Sequence, residues 1–147
     1  MLFFFLVLNF TGLAMGSLWT DPGVNSEWYD MIVKAPWTPP GYVFGIAWTS
    51  IMVFLSFFMT NLYERGDSKY NRLLLLSWVL NIAWNPLFFG LKWVWISSVV
   101  ILALTALLGF LIHKSRKEYK SMWVLLLPYF IWLNIATSLN LFVAIMN

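Results

Sequence analysis

Hydrophobic residues fill this chain in long stretches, and charged residues interrupt them only in clusters. Five runs hold no Asp, Glu, Lys or Arg: 1–20, 35–63, 73–91, 93–112 and 121–147. A bilayer core about 30 Å thick takes roughly 20 apolar residues of helix. Each run is therefore long enough for one crossing and too short for two. Backbone polar groups find no water in lipid, so a crossing segment is a helix or a barrel strand. Barrel strands alternate polar and apolar positions, whereas Leu73, Leu74, Leu75 and Leu76 run together, as do Val99, Val100, Ile101 and Leu102. The pattern predicts an all-α integral membrane protein, a bundle of five transmembrane helices at roughly 2–20, 41–63, 71–90, 93–113 and 121–146.

Finer features refine these spans. Gly12 and Gly16 lie four apart on one face of span 1, a spacing that lets another backbone come close, within the bundle or across a dimer seam. The long first loop, 20–40, places Trp28, Ile32 and Val33 on one face of a short helix, which would lie on the membrane surface or fold over the bundle as a lid. Thr38 is a candidate cap for span 2, and Pro39 and Pro40 suit its first turn. Pro86 in span 3 and Pro128 in span 5 would each remove a hydrogen bond and kink the helix, leaving room for a cavity.

Composition agrees with this picture. The 147 residues are 61% hydrophobic and 10% charged, with a mean hydropathy of +0.78, against about 25% charged in a soluble domain. Five spans use up the chain, so it reads as one membrane domain, 1–147, with no soluble module. The first run lacks a basic leader and reads as a span, not a signal peptide. There is no cysteine, which excludes disulfides and thiolate chemistry. The charge is asymmetric: Arg65, Lys69, Arg72, Lys114, Arg116, Lys117 and Lys120 fall on one side of the spans, and only Lys34 and Lys92 on the other. Basic residues stay inside, so the expectation is a multi-pass membrane protein with a fixed orientation. Its N-terminus would be cytoplasmic, with the C-terminus and the 20–40 loop outside. The net charge of +3 is thus a topology signal and not a nucleic-acid patch.

The candidate chemistry is aromatic and amidic. Ten Trp, thirteen Phe and six Tyr are present. Trp19, Trp28, Trp37, Trp93, Trp95 and Trp123 sit where interfacial belts form. Trp48, Trp84 and Trp132 lie deeper, and a buried indole N–H wants a partner, for which Asn81, Asn85 and Asn140 are candidates. Span 5 carries Trp132, Ala136 and Asn140 on one face, and Asn134 and Ser138 on another. Such amides serve as interhelical glue or as polar points in a pocket for a large flat apolar ligand. The spans hold no ionisable Asp, Glu, Lys or Arg, which argues against proton-driven export. His113 stands alone, no metal site is expected, and no acid–base or nucleophilic constellation is present.

Three stretches carry a family resemblance. They are Trp28-Tyr29 with Lys34-Ala35-Pro36-Trp37-Thr38-Pro39-Pro40-Gly41, Phe44 and Trp48; Asn81-Ile82-Ala83-Trp84-Asn85-Pro86-Leu87-Phe88-Phe89-Gly90; and Pro128-Tyr129-Phe130-Ile131-Trp132 with Ala136-Thr137-Ser138-Leu139-Asn140. In order and spacing the chain resembles the translocator protein, or tryptophan-rich sensory protein, family (TspO/MBR) over nearly its whole length. The resemblance implies a five-helix bundle, often a homodimer, with a cavity under the first loop that binds porphyrins such as protoporphyrin IX and hydrophobic aromatic ligands. It implies no required cofactor. Trp48 and Trp132 match cavity tryptophans linked to light- and oxygen-dependent porphyrin breakdown, the only catalytic role expected here. Tyr29 matches a loop tyrosine over the cavity, Asn85 a polar cavity position, and Ala136 a small position where enlargement perturbs binding. Trp37, Asn81, Trp84 and Asn140 complete the expected ligand-binding set, and Lys34 could pair with a propionate. Two departures stand out. The Tyr-Arg of cholesterol-binding members is replaced by Leu141-Phe142, and the acid found early in span 4 of many members is replaced by Ser97-Ser98-Val99. Three functions follow as expectations: a tetrapyrrole receptor or sensor, a photo-oxidative porphyrin-degrading activity, and passive or partner-driven transport of porphyrin or other hydrophobic molecules.

Overall fold

The computed structural model describes residues 1–119 and 121–147. Helix α1 is Leu2–Val24, a short α2 is Glu27–Met31, α3 is Gly41–Glu64 and α4 is Asn71–Asn85. A π-helical turn, Pro86–Gly90, continues α4. Helix α5 is Val94–Glu118, and a 3-10 turn, Met122–Leu126, leads into α6, Leu127–Met146. Five helical segments are long and apolar enough to cross a membrane: Leu2–Val24, Gly41–Glu64, Asn71–Gly90, Val94–Glu118 and Met122–Met146. These are the five expected crossings, the first running four residues beyond its expected end.

The spans close into a ring in the order α3, α1, α4, α5, α6 and back to α3. Two ends result. The basic end carries the N-terminus and the α3–α4 and α5–α6 turns. The loop end carries residues 25–40, the π-turn and the end of α6.

The polarity is that of a membrane bundle. Phe3, Leu18, Tyr42, Val99 and Ile145 face outward, at least 65% exposed, while Asn9, Ser56, Ser77, Ser97, Ser98, Ser115 and Asn140 are buried. Outside, apolar side chains meet lipid tails. Inside, small hydroxyls bond back to the helix and let backbones approach: Ser56 donates to the Met52 carbonyl at 2.7 Å and Thr60 to the Ser56 carbonyl at 2.8 Å.

Span 1 resolves the glycine question in favour of a contact within the bundle. A Cβ on Gly12 would fall 2.6 Å from Trp78 Nε1, and one on Gly16 would fall 2.7 Å from Asn85 Nδ2. Gly23 continues the same face against Phe89. Only the missing side chains allow α1 to sit this close to α4.

Three local expectations are corrected. The short loop helix ends at Met31, so Ile32 and Val33 continue as extended chain. Thr38 caps nothing; its hydroxyl turns back to the Ala35 carbonyl at 2.7 Å, and Pro40 stands at the start of α3. Pro128 does not break a helix interior, because it falls in the first turn of α6, where its missing N–H costs no bond. Pro86 does act within its span. There the chain widens into the π-turn, and Leu91 N–H bonds the Pro86 carbonyl at 2.8 Å.

Candidate functional site

The loop end holds most of the candidate residues, in three connected groups. The first lies between α3 and α6. These helices are antiparallel, so residues one turn apart on each meet in pairs. Phe44 packs edge-on against Trp132 at 5.0 Å between ring centroids, and Trp48 meets Tyr129 at 6.0 Å. Trp48 and Trp132 are thus brought into one four-ring layer. Trp132 is 6% exposed, and its indole N–H is buried with no hydrogen-bond partner among the described residues. A buried polar group left unpaired is uncommon and costs about 1–3 kcal/mol. Ala136, one turn further along α6, is half-buried against the same core.

The second group centres on Asn140. Its Oδ1 accepts from Trp84 Nε1 at 2.7 Å and from Ser97 Oγ at 3.4 Å. Its Nδ2 donates to Ser98 Oγ at 2.6 Å and to the Val94 carbonyl at 3.3 Å. One amide thereby ties α4, α5 and α6 together. Of the three asparagines expected to serve the deeper tryptophans, Asn140 is the partner of Trp84. Asn85 faces the opposite way, into the α1–α4 seam, where Thr20 donates to its Oδ1 at 2.7 Å. Asn81 contributes its backbone carbonyl to Asn85 Nδ2 at 3.0 Å. Asn81 and Asn85 are therefore not gathered with Trp48 and Trp132.

The third group is the loop itself. Tyr29 packs on Phe89 at 5.8 Å, Trp28 on Phe88 at 5.6 Å, and Phe88 stacks on Trp84 at 5.3 Å. The π-turn is what presents two successive phenylalanines to the loop helix. Lys34 lies 4.4 Å over the Tyr29 ring, and burial raises the Tyr29 hydroxyl above its ordinary pKa. Trp37, 54% exposed, donates to Ser138 Oγ at 3.1 Å. Val33 N–H donates to Asn147 Oδ1 at 2.9 Å, and Asn147 Nδ2 returns a bond to the Val33 carbonyl at 3.2 Å. The loop is thus latched to α6 at two points.

Together the groups give a packed layer of aromatic rings, an orphaned indole donor and a loop fastened to α6. Among the described residues no cluster of three His, Asp or Glu could hold a metal. A sequence model of the TspO/MBR family matches residues 4–146. The chain belongs to the TspO/MBR family. It is 32% identical over 130 residues to the uncharacterized membrane protein YtaB of Bacillus subtilis, covering 84% of this chain and 83% of that one. It is 30% identical over 115 residues to the tryptophan-rich sensory protein of Cereibacter sphaeroides, covering 78% and 73%. The translocator protein of Bos taurus is 27% identical over 149 residues, covering 92% and 83%.

Pattern reading passes over several residues in this TspO/MBR chain. Ser97 and Ser98, noted only as replacing an acid, hold Asn140. Asn9 is 1% exposed and donates to Ser56 Oγ at 2.9 Å. Trp78 lies against Gly12. The signal for Asn9 was present, since it stands three and seven residues before Gly12 and Gly16 on the same helix face. A cavity of about 470 Å³ also lies away from the loop end, between α1, α3 and α4 at the basic end.

Proposed function

We propose that this TspO/MBR protein is a membrane receptor that takes a tetrapyrrole of the protoporphyrin IX type, or a similar flat hydrophobic aromatic molecule, at the loop end between α3 and α6. The observation that carries this reading is the four-ring layer containing Trp48 and Trp132, with the Trp132 N–H buried and unpaired. A porphyrin stacks on such rings and offers polar edges to an indole donor. Asn140 and Trp84 hold the neighbouring helix ends in place, Ala136 leaves room beside Trp132, and Tyr29 and Trp37 belong to the cover. Lys34, close to the loop surface, suits a propionate. The name of the Cereibacter sphaeroides relative, a sensory protein, supports a receptor role.

Basic residues concentrate on the end that carries the N-terminus, which supports a cytoplasmic N-terminus with the 25–40 loop outside. A homodimer would form through the lipid-facing surface, since the α1 glycines are already occupied by α4. Under light and dioxygen a bound porphyrin would be oxidised beside Trp48 and Trp132, the residues best placed to take part. The name of the bovine relative favours a second reading, translocation of the same ligand class. With no ionisable side chain deep in the spans, that movement would be passive or driven by a partner.

The test is tryptophan-fluorescence quenching by protoporphyrin IX in lipid nanodiscs. Replacing Trp48 and Trp132 together by Phe is expected to weaken binding at least tenfold while the protein stays folded. Unchanged affinity in the double variant overturns the site. Illumination of the complex is expected to bleach the porphyrin band faster than in empty nanodiscs, and equal rates remove the degradation activity.

A further inference from the structure

The lipid-facing side of α5 changes character along its length. Its outward stripe runs through Val99, Leu102, Ala103, Ala106 and Phe110, all exposed and all on one side of a helix with about 3.6 residues per turn. Ala103 and Ala106 leave a shallow furrow in that stripe, bounded by the larger Leu102 and Phe110. Beyond Phe110 the same stripe turns basic. His113 and Lys117 continue it, both exposed, and Arg116 stands exposed beside them near the end of the helix. The rise from Ala103 to His113 is about 15 Å, or half of a hydrocarbon core. The furrow and the basic group are therefore spaced as the tail and the head of one lipid in a single leaflet.

The basic group is also open to an anion. Arg116 lies over the Trp123 ring, 5.3 Å from its centroid, which holds the guanidinium where α5 meets the turn into α6. Lys114 is turned inward over Tyr70 at 5.1 Å and takes no part. Glu118, the acid that follows Lys117, lies 3.5 Å from Lys69. Among the described residues no carboxylate stands within ion-pair distance of Arg116 or Lys117. A phosphate accepts from guanidinium, ammonium and imidazole N–H donors alike. Basic clusters just past a membrane helix draw headgroups of net negative charge, whereas a choline headgroup would bring its own cation among these donors.

We infer that the outer face of α5 at the basic end binds an anionic phospholipid, with its phosphate on His113, Arg116 and Lys117 and one acyl chain in the furrow over Ala103 and Ala106. The site lies on the outside of the bundle, and its occupancy does not require the loop latch to release.

The experiment uses the full chain in phosphatidylcholine nanodiscs with a rising fraction of phosphatidylglycerol. Lipid adducts in native mass spectrometry give the preference. Fluorine NMR of 5-fluorotryptophan gives the place, through the Trp123 resonance assigned from the Trp123→Phe variant. Phosphatidylglycerol is expected to shift that resonance saturably and to be preferred about fivefold over phosphatidylcholine. Arg116→Gln with Lys117→Gln is expected to remove the preference. Arg65→Gln with Arg72→Gln takes the same charge from the same end and is expected to keep it. Ala106→Phe fills the furrow, leaves every charge in place and is expected to weaken phosphatidylglycerol binding. A Trp123 signal that ignores phosphatidylglycerol overturns the inference. So does an equal loss of preference in the two double variants, because the general positive charge of this end then suffices. A shift of equal size from soluble glycerol phosphate overturns the lipid as occupant, and unchanged binding in Ala106→Phe overturns the seat of the chain.

Discussion

The seam between α1 and α4 and the seam between α3 and α6 solve the same packing problem in opposite ways. Along the first, Gly12, Gly16 and Gly23 remove side chains, and the facing Trp78, Asn85 and Phe89 lie on bare backbone. Along the second, Phe44, Trp48, Tyr129 and Trp132 interpose four rings. A glycine seam has no slack, because any added atom meets its neighbour. A ring layer holds two helices apart with flat surfaces that another flat surface can replace. The difference leaves the first seam as structure and supports the second as the proposed site.

The largest effect is expected from Gly16→Val. Its Cβ would meet Asn85 Nδ2 and disturb the Thr20–Asn85 bond, and overpacking of this kind costs about 1–3 kcal/mol. Denaturation in mixed micelles should show a larger loss for Gly16→Val than for Phe44→Leu in the ring layer. The reverse order would break the contrast. Next comes Asn140→Leu, which strands Trp84 Nε1 at a cost of about 1–3 kcal/mol, while Ser97 and Ser98 keep their bonds to the Val94 carbonyl. A double-mutant cycle with Trp84→Phe should recover part of that loss; full additivity would deny the coupling.

A smaller effect is expected from Trp37→Phe. It removes one latch bond, worth about 0.5–1.5 kcal/mol. Protease cleavage within 25–40 should quicken while the spans stay protected, sharpening the contrast between a movable cover and a fixed seam. The smallest effect concerns pH. Hydrogen bonding from Tyr119, then from Lys69 N–H, holds the Asp67 carboxyl below its ordinary value, while burial followed by the Asp67 bond pushes Tyr119 up to about 12. The Asp67 contribution is present above the ordinary carboxylate pKa of about 4 and is lost as pH falls through the lower folded value. The Tyr119 contribution is present below about 10 and is lost as pH rises through the folded value. Amide exchange at 64–71 should therefore increase at both extremes. Tyr119→Phe should flatten both limbs, and an unchanged profile would detach the pair from the turn.

The crossings were legible because lipid forbids unpaired charge, and absence of charge is visible in any sequence. The α1–α4 seam was half legible: Gly12 and Gly16 announced a close approach but not its partner. The partner of Trp84 was not legible, since Asn81, Asn85 and Asn140 have equal claims until the rotation of each helix is known. That rotation comes from the glycine seam, which turns Asn85 toward α1 and leaves Asn140 for Trp84. Pro86 marked the end of α4 without revealing that the chain would widen and not simply bend. Pro128 misled because hydropathy does not distinguish a 3-10 entry turn from a helix interior. Asn9 and Trp78 were hidden by their surroundings, where one polar atom among many apolar ones leaves no periodic trace.

The latch between the loop and α6 also imposes an order in time. Val33 bonds a residue 114 positions later, and Trp37 one 101 positions later. During synthesis the loop emerges early and stays unfastened until the last span has entered the bilayer. Phe44 and Trp48 likewise wait for Tyr129 and Trp132. The α1–α4 seam can close while α5 and α6 are still being made. The loop end is therefore the last part of the molecule to be completed, and a stalled chain would carry the earlier spans without the ring layer or the latch.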